Sequence, residues 1–348
     1  MSRVYLDWNA TTPLRPQARA AMLSAMDAVG NPSSVHAEGR AALGIVSKAR
    51  DQIASAFGCK RDNIIFTSSA TEAAALGLKS ANDTVLCADV EHDCITTNSS
   101  ASLGVYEGAV ETPADQLFAQ QGANSETGIL QNVTSGAWLS DQVQSFGKIP
   151  VAFNFLEVST AILSAHKIGG PKGIGALVLA DGVDVKAQIQ GGGQEEGRRS
   201  GTENVIGIAG FGASAQAAQE DIEEGVWQKV EGLRDMLEAE IANIAQDAFF
   251  VGQNQPRLPN TSCFAVPGWK GETQVMQMDL AGFAISAGSA CSSGKVKQSR
   301  VLKAMGYDDL TSSSAIRVSL GPATTEEEIM RFIQNWAETY KRYKAKAA

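Results

Sequence analysis

The sequence has few of the residues on which several protein classes depend. Its 348 residues include three histidines and five cysteines, and no two cysteines form a CxxC pair. Disulfide frameworks use an even number of cysteines and structural zinc sites use paired ones, so we expect free thiols and no metal site. No uninterrupted apolar run approaches the roughly 20 residues of a membrane span, and the first residues show no secretory signal. We therefore expect a cytoplasmic protein outside the membrane.

An excess of positive charge is also missing. The chain has 29 Lys and Arg against 38 Asp and Glu, which gives a net charge of -9. Binding to a nucleic acid backbone requires a basic face, so nucleic acid is not an expected partner. Hydrophobic residues make up 44% and charged residues 19%, values typical of a soluble protein. The length suffices for two domains or for one large domain with an appendage.

Short apolar runs and helical patterns alternate over the first half of the chain. The helical patterns cover about residues 16–29 and 39–57, and an alanine-rich one follows residue 70. Strands are predicted at residues 4–6, 64–67, 84–88, 117–121, 137–139, 160–163 and 175–179. This alternation predicts an open α/β sheet. Polar residues follow five of these strands, and ligands of such sheets lie beyond the carboxyl ends of the strands, so the five exits are predicted to form one pocket.

The second half of the chain has a different pattern. A long helical region over about residues 204–245 is interrupted at the acidic stretch 220–225, which is also compatible with a solvated helix face. Predicted strands at 261–266, 283–286 and 315–319 then mix with predicted helices at 272–280, 299–305 and 325–343. We expect a large domain formed by residues 13–222 and a smaller α+β domain formed by residues 1–12 and 223–348.

Two stretches in the large domain offer groups for catalysis or binding. Lys167 follows an apolar run and lies beside Ser164, His166 and a glycine-rich turn. Partial desolvation would lower the pKa of this amine and favour Schiff-base chemistry, although a solvated loop lysine is the alternative. Residues 68–72 form a small-residue turn into a helix N-terminus, which can bind a phosphate or can be a simple capped helix.

Two residues in the small domain have a chemical interpretation. Cys291 lies in the small-residue run 288–294 near Lys295 and Lys297, which favour a thiolate. Arg317 lies between apolar neighbours in a predicted strand and can bind a carboxylate with two hydrogen bonds, with a surface ion pair as the alternative. The other cysteines lie in or beside apolar segments and are predicted to be buried packing residues: Cys59, Cys87, Cys94 and Cys263.

Taken in order, these stretches resemble the motifs of the NifS/IscS-like cysteine desulfurases, enzymes of the class V aminotransferase group. The similar stretches are residues 6–13, 30–36, 66–72, 91–92, 141–144, 164–173, 198–204 and 288–294. The resemblance implies the fold type I of pyridoxal 5'-phosphate (PLP) enzymes, with a mixed, mostly parallel sheet in the large domain and a smaller α+β C-terminal domain. It also implies PLP as cofactor, L-cysteine as substrate and a homodimer.

The resemblance assigns roles to individual residues. Lys167 is implied to bind the cofactor and then to move the substrate α-proton, and Asp141 to keep the pyridine nitrogen protonated. Cys291 is implied to receive the sulfur as a persulfide, and His92 to stack on the ring as a catalytic residue. Cofactor contacts are implied for Ala70, Thr71, His92, Asp141, Gln144, Ser164, His166 and Lys167, and from the partner subunit for Thr202. Substrate contacts are implied for Asn9, Ser125 and Arg317.

The chain departs from the pattern of these enzymes at three points. Ser125 stands where asparagine is usual, the segments between Glu72 and His92 and between His92 and Asn124 are short, and little chain follows the last predicted helix. The expected function is cysteine desulfuration, with the sulfur passed to an acceptor protein for iron–sulfur cluster assembly or thiolation. Two alternatives stay open: a selenocysteine lyase or other class V PLP enzyme, and a catalytically silent regulatory homologue.

Overall fold

A computed structural model describes residues 3–288 and 298–347. The helices are α1 (Pro16–Met26), α2 (Ala37–Phe57), α3 (Ala70–Lys79), α4 (Asp93–Thr96), α5 (Val205–Glu223), α6 (Val226–Ile244), α7 (Gly271–Leu280), α8 (Arg300–Ala304), α9 (Asp309–Ser314) and α10 (Glu326–Ala347). The strands of the first half are β1 (Val4–Tyr5), β2 (Ile64–Thr67), β3 (Leu86–Ala88), β4 (Ser100–Leu103), β5 (Val105–Tyr106), β6 (Ala109–Val110), β7 (Ala119–Gln121), β8 (Leu139–Asp141), β9 (Thr160–Ser164) and β10 (Gly175–Leu179). The remaining strands are β11 (Phe249–Phe250), β12 (Thr261–Ala265), β13 (Phe283–Ala284), β14 (Ser286–Ala287) and β15 (Ala315–Ser319). None of the helices in these two ranges has the length and apolar character needed to cross a membrane.

The central sheet has the strand order β2-β10-β9-β8-β7. Strands β7, β8 and β9 are parallel, whereas β10 runs antiparallel to both β2 and β9. A parallel bridge between Leu86 and Phe118 places β3 beside the outer edge of β7. The sheet is therefore mixed and mostly parallel, which confirms the predicted fold class.

Helices cover both faces of the central sheet because its strands are apolar on both sides. Leu163 of β9 faces a core that includes Phe57 of α2 and Phe211 of α5, whereas its neighbour Ile162 faces a second core that includes Leu76 of α3. Successive side chains of a strand point to opposite faces, so a continuous apolar run can bury itself on both sides. This explains why the short apolar runs of the sequence predicted the central strands.

A second sheet, with the order β11-β12-β15-β14, is antiparallel. Its core contains Phe264 of β12 together with Trp269 and Trp336, and α6, α7 and α10 contribute to it. The backbone N–H of Thr325 donates to Glu328 Oε2 (3.0 Å) and the Thr325 hydroxyl accepts from the Glu328 N–H (3.3 Å), so a capping box starts α10. The domain boundary at residue 222 stays a prediction, and the break between α5 and α6 lies at residues 224–225, where Gly225 has a positive φ of 72°.

The observed elements differ from the predicted ones at several places. The predicted strand 283–286 consists of two short strands, because β13 pairs with β1 and β14 pairs with β15. The predicted strand 137–139 lies at Leu139–Asp141, so Asp141 ends the strand instead of following it. The last helix continues to residue 347, since the residues after 343 keep the helical hydrogen bonding of α10. The short elements β11 and α9 have no apolar periodicity of their own and were not predicted.

Candidate active site

Polar groups collect at one edge of the central sheet. The strands β2, β3, β7, β8 and β9 run in the same direction, so the residues that follow them lie along the same edge. Electrostatic interactions of Asp141 with both His92 and Lys167 show that the exits of β8, β3 and β9 converge. The structure therefore brings together groups that are separated by up to 75 positions in the sequence, as the pattern of strand exits predicted.

Lys167 lies on a 3₁₀ turn (Ala165–Lys167) directly after β9. Its Nζ donates hydrogen bonds to the backbone carbonyls of Asn9 (2.6 Å) and Ala10 (3.0 Å). The Thr12 hydroxyl donates to the Lys167 carbonyl (2.8 Å). The N-terminal segment therefore contacts both the side chain and the backbone of Lys167. The amine thus has a defined position at the edge of the sheet, held mainly by backbone oxygens.

Asp141 is a buried carboxylate at the end of β8. Its Oδ1 accepts the backbone N–H of Val143 (2.9 Å). Burial raises the pKa of Asp141 above its usual value, while the N–H of Val143 and the charges of His92 and Lys167 act in the opposite direction. A buried carboxylate of this kind gains stability from a cationic N–H partner in the pocket, because a charge-assisted hydrogen bond offsets its desolvation.

The ring of His92 is oriented by its own chain. His92 precedes α4, and its Nδ1 accepts the backbone N–H of Cys94 (3.1 Å). The Sγ of Cys94 also lies 3.1 Å from this nitrogen. Because Nδ1 acts as an acceptor, the neutral imidazole carries its proton on Nε2. The other ring nitrogen, Nε2, is therefore a hydrogen-bond donor.

The N-terminus of α3 is arranged to accept an anion. Ser69 caps the helix by accepting the N–H of Glu72 (3.2 Å), while the backbone N–H groups of Ala70 and Thr71 have no acceptor in the part of the chain that the structure describes. Unpaired N–H groups and the positive end of the helix dipole favour phosphate at such a place. Gly175 allows β10 to pass close by, since a Cβ there would lie 2.7 Å from the Ala70 nitrogen.

The other implied phosphate contacts lie near this turn or on a separate loop. Ser164 ends β9 and is buried. The ring of His166 contacts the Thr11 hydroxyl (3.2 Å), and burial together with the charges of Lys167 and Lys172 lowers the pKa of His166 to about 4. Thr202 is exposed and lines a surface cavity together with Thr67, Ser68 and Gly201.

Arg317 does not lie on the surface. Its Nη2 donates to Asp7 Oδ1 (2.6 Å) and its Nη1 to the backbone carbonyl of Ser125 (2.9 Å), with side-chain exposures of 12% for Arg317 and 17% for Asp7. Its Nε is buried without a partner among the described residues. The backbone of Ser125, and not the side chain that departs from the family pattern, therefore orients the guanidinium. The remaining N–H groups of Arg317 fit a substrate carboxylate.

Asn9 forms the centre of a polar network beside Lys167. Its side-chain nitrogen donates to Thr261 Oγ1 (2.8 Å) and to the Ser125 carbonyl (3.3 Å), and its exposure is only 1%. Its Oδ1 accepts from Lys148 Nζ (2.9 Å) and from Asn260 Nδ2 (3.1 Å). Both polar atoms of the Asn9 side chain thus have hydrogen-bond partners within the protein. The substrate contact implied for Asn9 stays a prediction.

Several buried polar residues of this region were not predicted from the sequence. They are Glu91, Glu126, Lys148, Asn260 and Thr261, together with the partly buried Asp7. Asp7 and Glu91 lie inside stretches that carry the resemblance, and Lys148 follows Gln144 by four residues across a glycine. Their places in the sequence are a signal of a role, but nothing in their spacing indicates the partners that they have in the fold.

The described cysteines have unreactive surroundings. Cys87, Cys94 and Cys263 are buried, as predicted, whereas Cys59 is only half-buried. Burial raises the pKa of the Cys59 thiol to about 12 and also raises the pKa of the other three thiols. All four thiols are therefore protonated at neutral pH. Cys291 lies outside the described residues, so its role stays a prediction.

Comparison with known proteins identifies the family of this chain. Residues 4–110 and 89–332 match the family model described as aminotransferase class-V. The chain belongs to the class V aminotransferase family. It is 37% identical to the cysteine desulfurase of Cereibacter sphaeroides (96% of this chain and 95% of the relative) and 34% identical to the cysteine desulfurase IscS of Dictyoglomus turgidum (94% and 91%). Among solved structures, a NifS-like protein from Rickettsia africae superposes with a TM-score of 0.88 and 32% identity over 97% of this chain and 99% of the other.

Class V aminotransferase family members of this NifS/IscS-like group are PLP-dependent enzymes. The residues of this chain fit that cofactor. The unpaired N–H groups of Ala70 and Thr71 suit its phosphate, the buried Asp141 carboxylate suits a protonated ring nitrogen, and the Lys167 amine suits its aldehyde. The cofactor and the family that the motifs implied are thereby confirmed, whereas the individual contacts stay predictions.

Glu91, which directly precedes His92, gives this class V enzyme a pH-dependent stability. Its side chain is buried, Oε1 accepts the Gln121 N–H (2.9 Å), and Oε2 has no partner among the described residues. Burial, together with the nearby Asp141, raises the pKa of Glu91 well above 4.5. The folded state therefore keeps a proton that the unfolded state releases, so this contribution to stability is complete below about pH 4.5 and is lost as the pH rises through the folded pKa.

We expect the Glu91→Gln variant to lose this dependence, because glutamine resembles the protonated acid and cannot ionise. Its free energy of unfolding is expected to fall by up to about 1.4 kcal/mol less per pH unit than that of the wild type from about pH 5 to the folded pKa of Glu91. Urea unfolding at several pH values measures this difference. The exposed Glu224→Gln is the control and is expected to leave the slope unchanged. Equal slopes for Glu91→Gln and wild type would show that Glu91 is ionised in the fold.

Proposed function

We propose that this protein is a PLP-dependent cysteine desulfurase, which converts L-cysteine to L-alanine and takes the sulfur as a persulfide on Cys291. The observation that carries the proposal is the convergence of an amine and a buried carboxylate, Lys167 and Asp141, at one edge of the central sheet, beside the Arg317 guanidinium of β15, which the Ser125 carbonyl holds. Relatives that are named cysteine desulfurase and match nearly the full chain support the same reaction.

The bound PLP supplies an electron sink for the electron pair of the substrate Cα–H bond. On this proposal Asp141 holds the proton of the ring nitrogen, and His92 lies against the ring. The Arg317 guanidinium binds the substrate carboxylate through N–H groups that Asp7 and Ser125 do not use. The phosphate is assigned to Ala70, Thr71, Ser164 and His166, with Thr202 of a second subunit, and the phenolic oxygen is assigned to Gln144.

Lys167 and Cys291 have separate roles in the proposed reaction, in proton transfer and in sulfur transfer. Lys167 would hold the cofactor through its aldehyde, and its amine would move the proton at the substrate Cα. The Cys291 thiolate attacks the substrate sulfur, so that a sulfur–sulfur bond forms while the Cβ–S bond breaks. The electron pair of the broken bond remains with Cβ, which takes up a proton, and alanine leaves. One substrate thiol and one protein thiol thus yield one alanine and one persulfide.

Three further parts of the proposal concern partners and location. The protein acts as a homodimer with composite sites, because Thr202 is exposed on a loop and is assigned to the phosphate of the other subunit. The persulfide is passed to an acceptor protein for iron–sulfur cluster assembly or thiolation. The location is cytoplasmic. Each part can be tested separately from the chemistry.

Incubation of the purified, PLP-loaded protein with L-cysteine tests the proposed reaction. We expect alanine and protein-bound persulfide in equal amounts during the first turnover, measured by amino acid analysis and by mass spectrometry after alkylation. A parallel incubation with L-selenocysteine separates the alternatives. Turnover of selenocysteine without turnover of cysteine would favour a lyase, and a folded protein that fails to bind PLP would favour a regulatory homologue.

A further inference from the structure

A second lysine lies inside the network beside Lys167. Lys148 follows Gly147, whose positive φ of 74° and close approach to Ile168 (a Cβ at 147 would lie 2.8 Å from Ile168 Cγ2) leave no room for a side chain. Lys148 itself is only 3% exposed. A lysine that is almost fully buried is unusual and requires specific partners.

The partners of Lys148 are neutral acceptors. Its Nζ donates to Gln144 Oε1 (2.6 Å) and to Asn9 Oδ1 (2.9 Å). No carboxylate lies within ion-pair distance of this amine in the described ranges 3–288 and 298–347. The charged groups that face it are Lys167 and Arg317, both cationic, and burial together with these charges lowers the pKa of Lys148 well below 10.5.

The geometry agrees with an uncharged amine. A neutral amine has two N–H groups and one lone pair, and the structure provides two acceptors. A third N–H of an ammonium group would be buried without an acceptor beside two positive charges. Such a charge is strongly disfavoured in a buried site, so the group gives up its proton instead.

The two residues that accept from Lys148 are linked to the Lys167 amine through the backbone carbonyl of Asn9. Gln144 Nε2 donates to the Asn9 carbonyl (3.0 Å), and Lys167 Nζ donates to the same oxygen (2.6 Å). Lys148 thus fixes the amide group of Gln144 and that of Asn9, because it donates a hydrogen bond to the side-chain oxygen of each. Because the Gln144 oxygen is occupied, the amide presents its N–H groups, and one of these has no acceptor among the described residues.

We propose that Lys148 is a positioning residue which acts as an uncharged amine and fixes Gln144 and Asn9 so that hydrogen-bond donors, and no second positive charge, face the cofactor beside Lys167. The inference rests on the proposed function, since it assigns the free N–H of Gln144 to the phenolic oxygen of PLP. A donor at this oxygen stabilises its ionised form and lowers the pH at which the absorption of the bound cofactor changes.

The Lys148→Met variant removes both hydrogen bonds and keeps the length and neutrality of the side chain. We expect it to bind PLP about tenfold more weakly, because Gln144 Oε1 loses its donor and the amide is no longer held. The pH midpoint of the visible absorption change is expected to rise by roughly half a unit or more. The control is Lys229→Met, which changes an exposed lysine of α6 and is expected to leave affinity and midpoint unchanged.

A second measurement reads the charge of Lys148 directly in the unmodified, PLP-loaded protein. Nitrogen NMR of ¹⁵N-labelled lysine side chains, assigned with Lys148→Met, is expected to show a neutral amine at pH 7. An ammonium signal for Lys148 would overturn the proposal. So would a Lys148→Met variant with a lower melting temperature but an unchanged affinity and midpoint, since this is the pattern of a purely structural residue. If the proposed function fails, the wild type itself forms no alanine and persulfide from L-cysteine, which is a result separate from any difference between Lys148→Met and the wild type in affinity or midpoint.

Discussion

The Lys167→Ala variant is expected to lose the visible absorption of covalently bound PLP and to release alanine from L-cysteine at least about 10³-fold more slowly than the wild type. The reason is that Lys167 has two roles in the proposed reaction, as the amine that binds the cofactor aldehyde and as the base that moves the α-proton. General acid–base catalysis alone contributes roughly 10²- to 10⁴-fold. Its Nζ reaches the edge of the sheet between the carbonyls of Asn9 and Ala10, where an alanine has no reactive group.

Lys148, a second lysine beside the site, has other hydrogen-bond partners. Lys148 donates to Gln144 and Asn9 from a buried position and cannot turn to the Lys167 position without leaving Gln144 Oε1 without its donor. Absorption spectra and single-turnover alanine assays check the expectation, with Lys229→Ala as the control that keeps both signals. A Lys167→Ala protein that retained the covalent absorption band would show that another lysine binds the cofactor, and the assignment of Lys167 would then be abandoned.

The sheet and the general position of the site were predictable from local sequence. Residues 161–163 are apolar and alternate between the two faces, as in a strand buried between two helix layers, and the small residues after residue 67 indicate the turn into α3. The rule that ligands lie beyond the carboxyl ends of parallel strands then placed Lys167 and His92 near each other. These inferences required only periodicity and the direction of the chain.

The hydrogen-bond network was not predictable, because it joins residues that are far apart in sequence. Asn9 contacts Lys148 across 139 positions and Thr261 across 252 positions, and no local pattern encodes either contact. Arg317 illustrates the same limit. Its apolar neighbours predicted which face of β15 it occupies, but only the fold shows that Asp7 and the Ser125 carbonyl hold it. The serine at position 125, where the family usually has asparagine, does not prevent this contact, because the backbone carbonyl of Ser125 makes it.

Cys291→Ser is the variant that separates cofactor chemistry from sulfur transfer. We expect it to bind PLP with a normal visible absorption, because the groups assigned to the cofactor all lie elsewhere in the chain. Persulfide on the protein is expected to disappear, and alanine release from L-cysteine is expected to fall by at least about 10²-fold. A serine hydroxyl is a poor nucleophile without an adjacent base, whereas a thiolate attacks sulfur readily.

The four other cysteines are poorly suited to replace Cys291. Burial raises the pKa of each of these thiols, and Cys59, the one that is only half-buried, has a pKa of about 12. At pH 7 the thiolate fraction of Cys59 is therefore about 10⁻⁵, too small to support sulfur transfer. The matched control is Cys59→Ser, which is expected to keep alanine release and persulfide formation at the wild-type rate. Mass spectrometry after alkylation locates the persulfide, and normal alanine release by Cys291→Ser would rule out Cys291 as the sulfur acceptor.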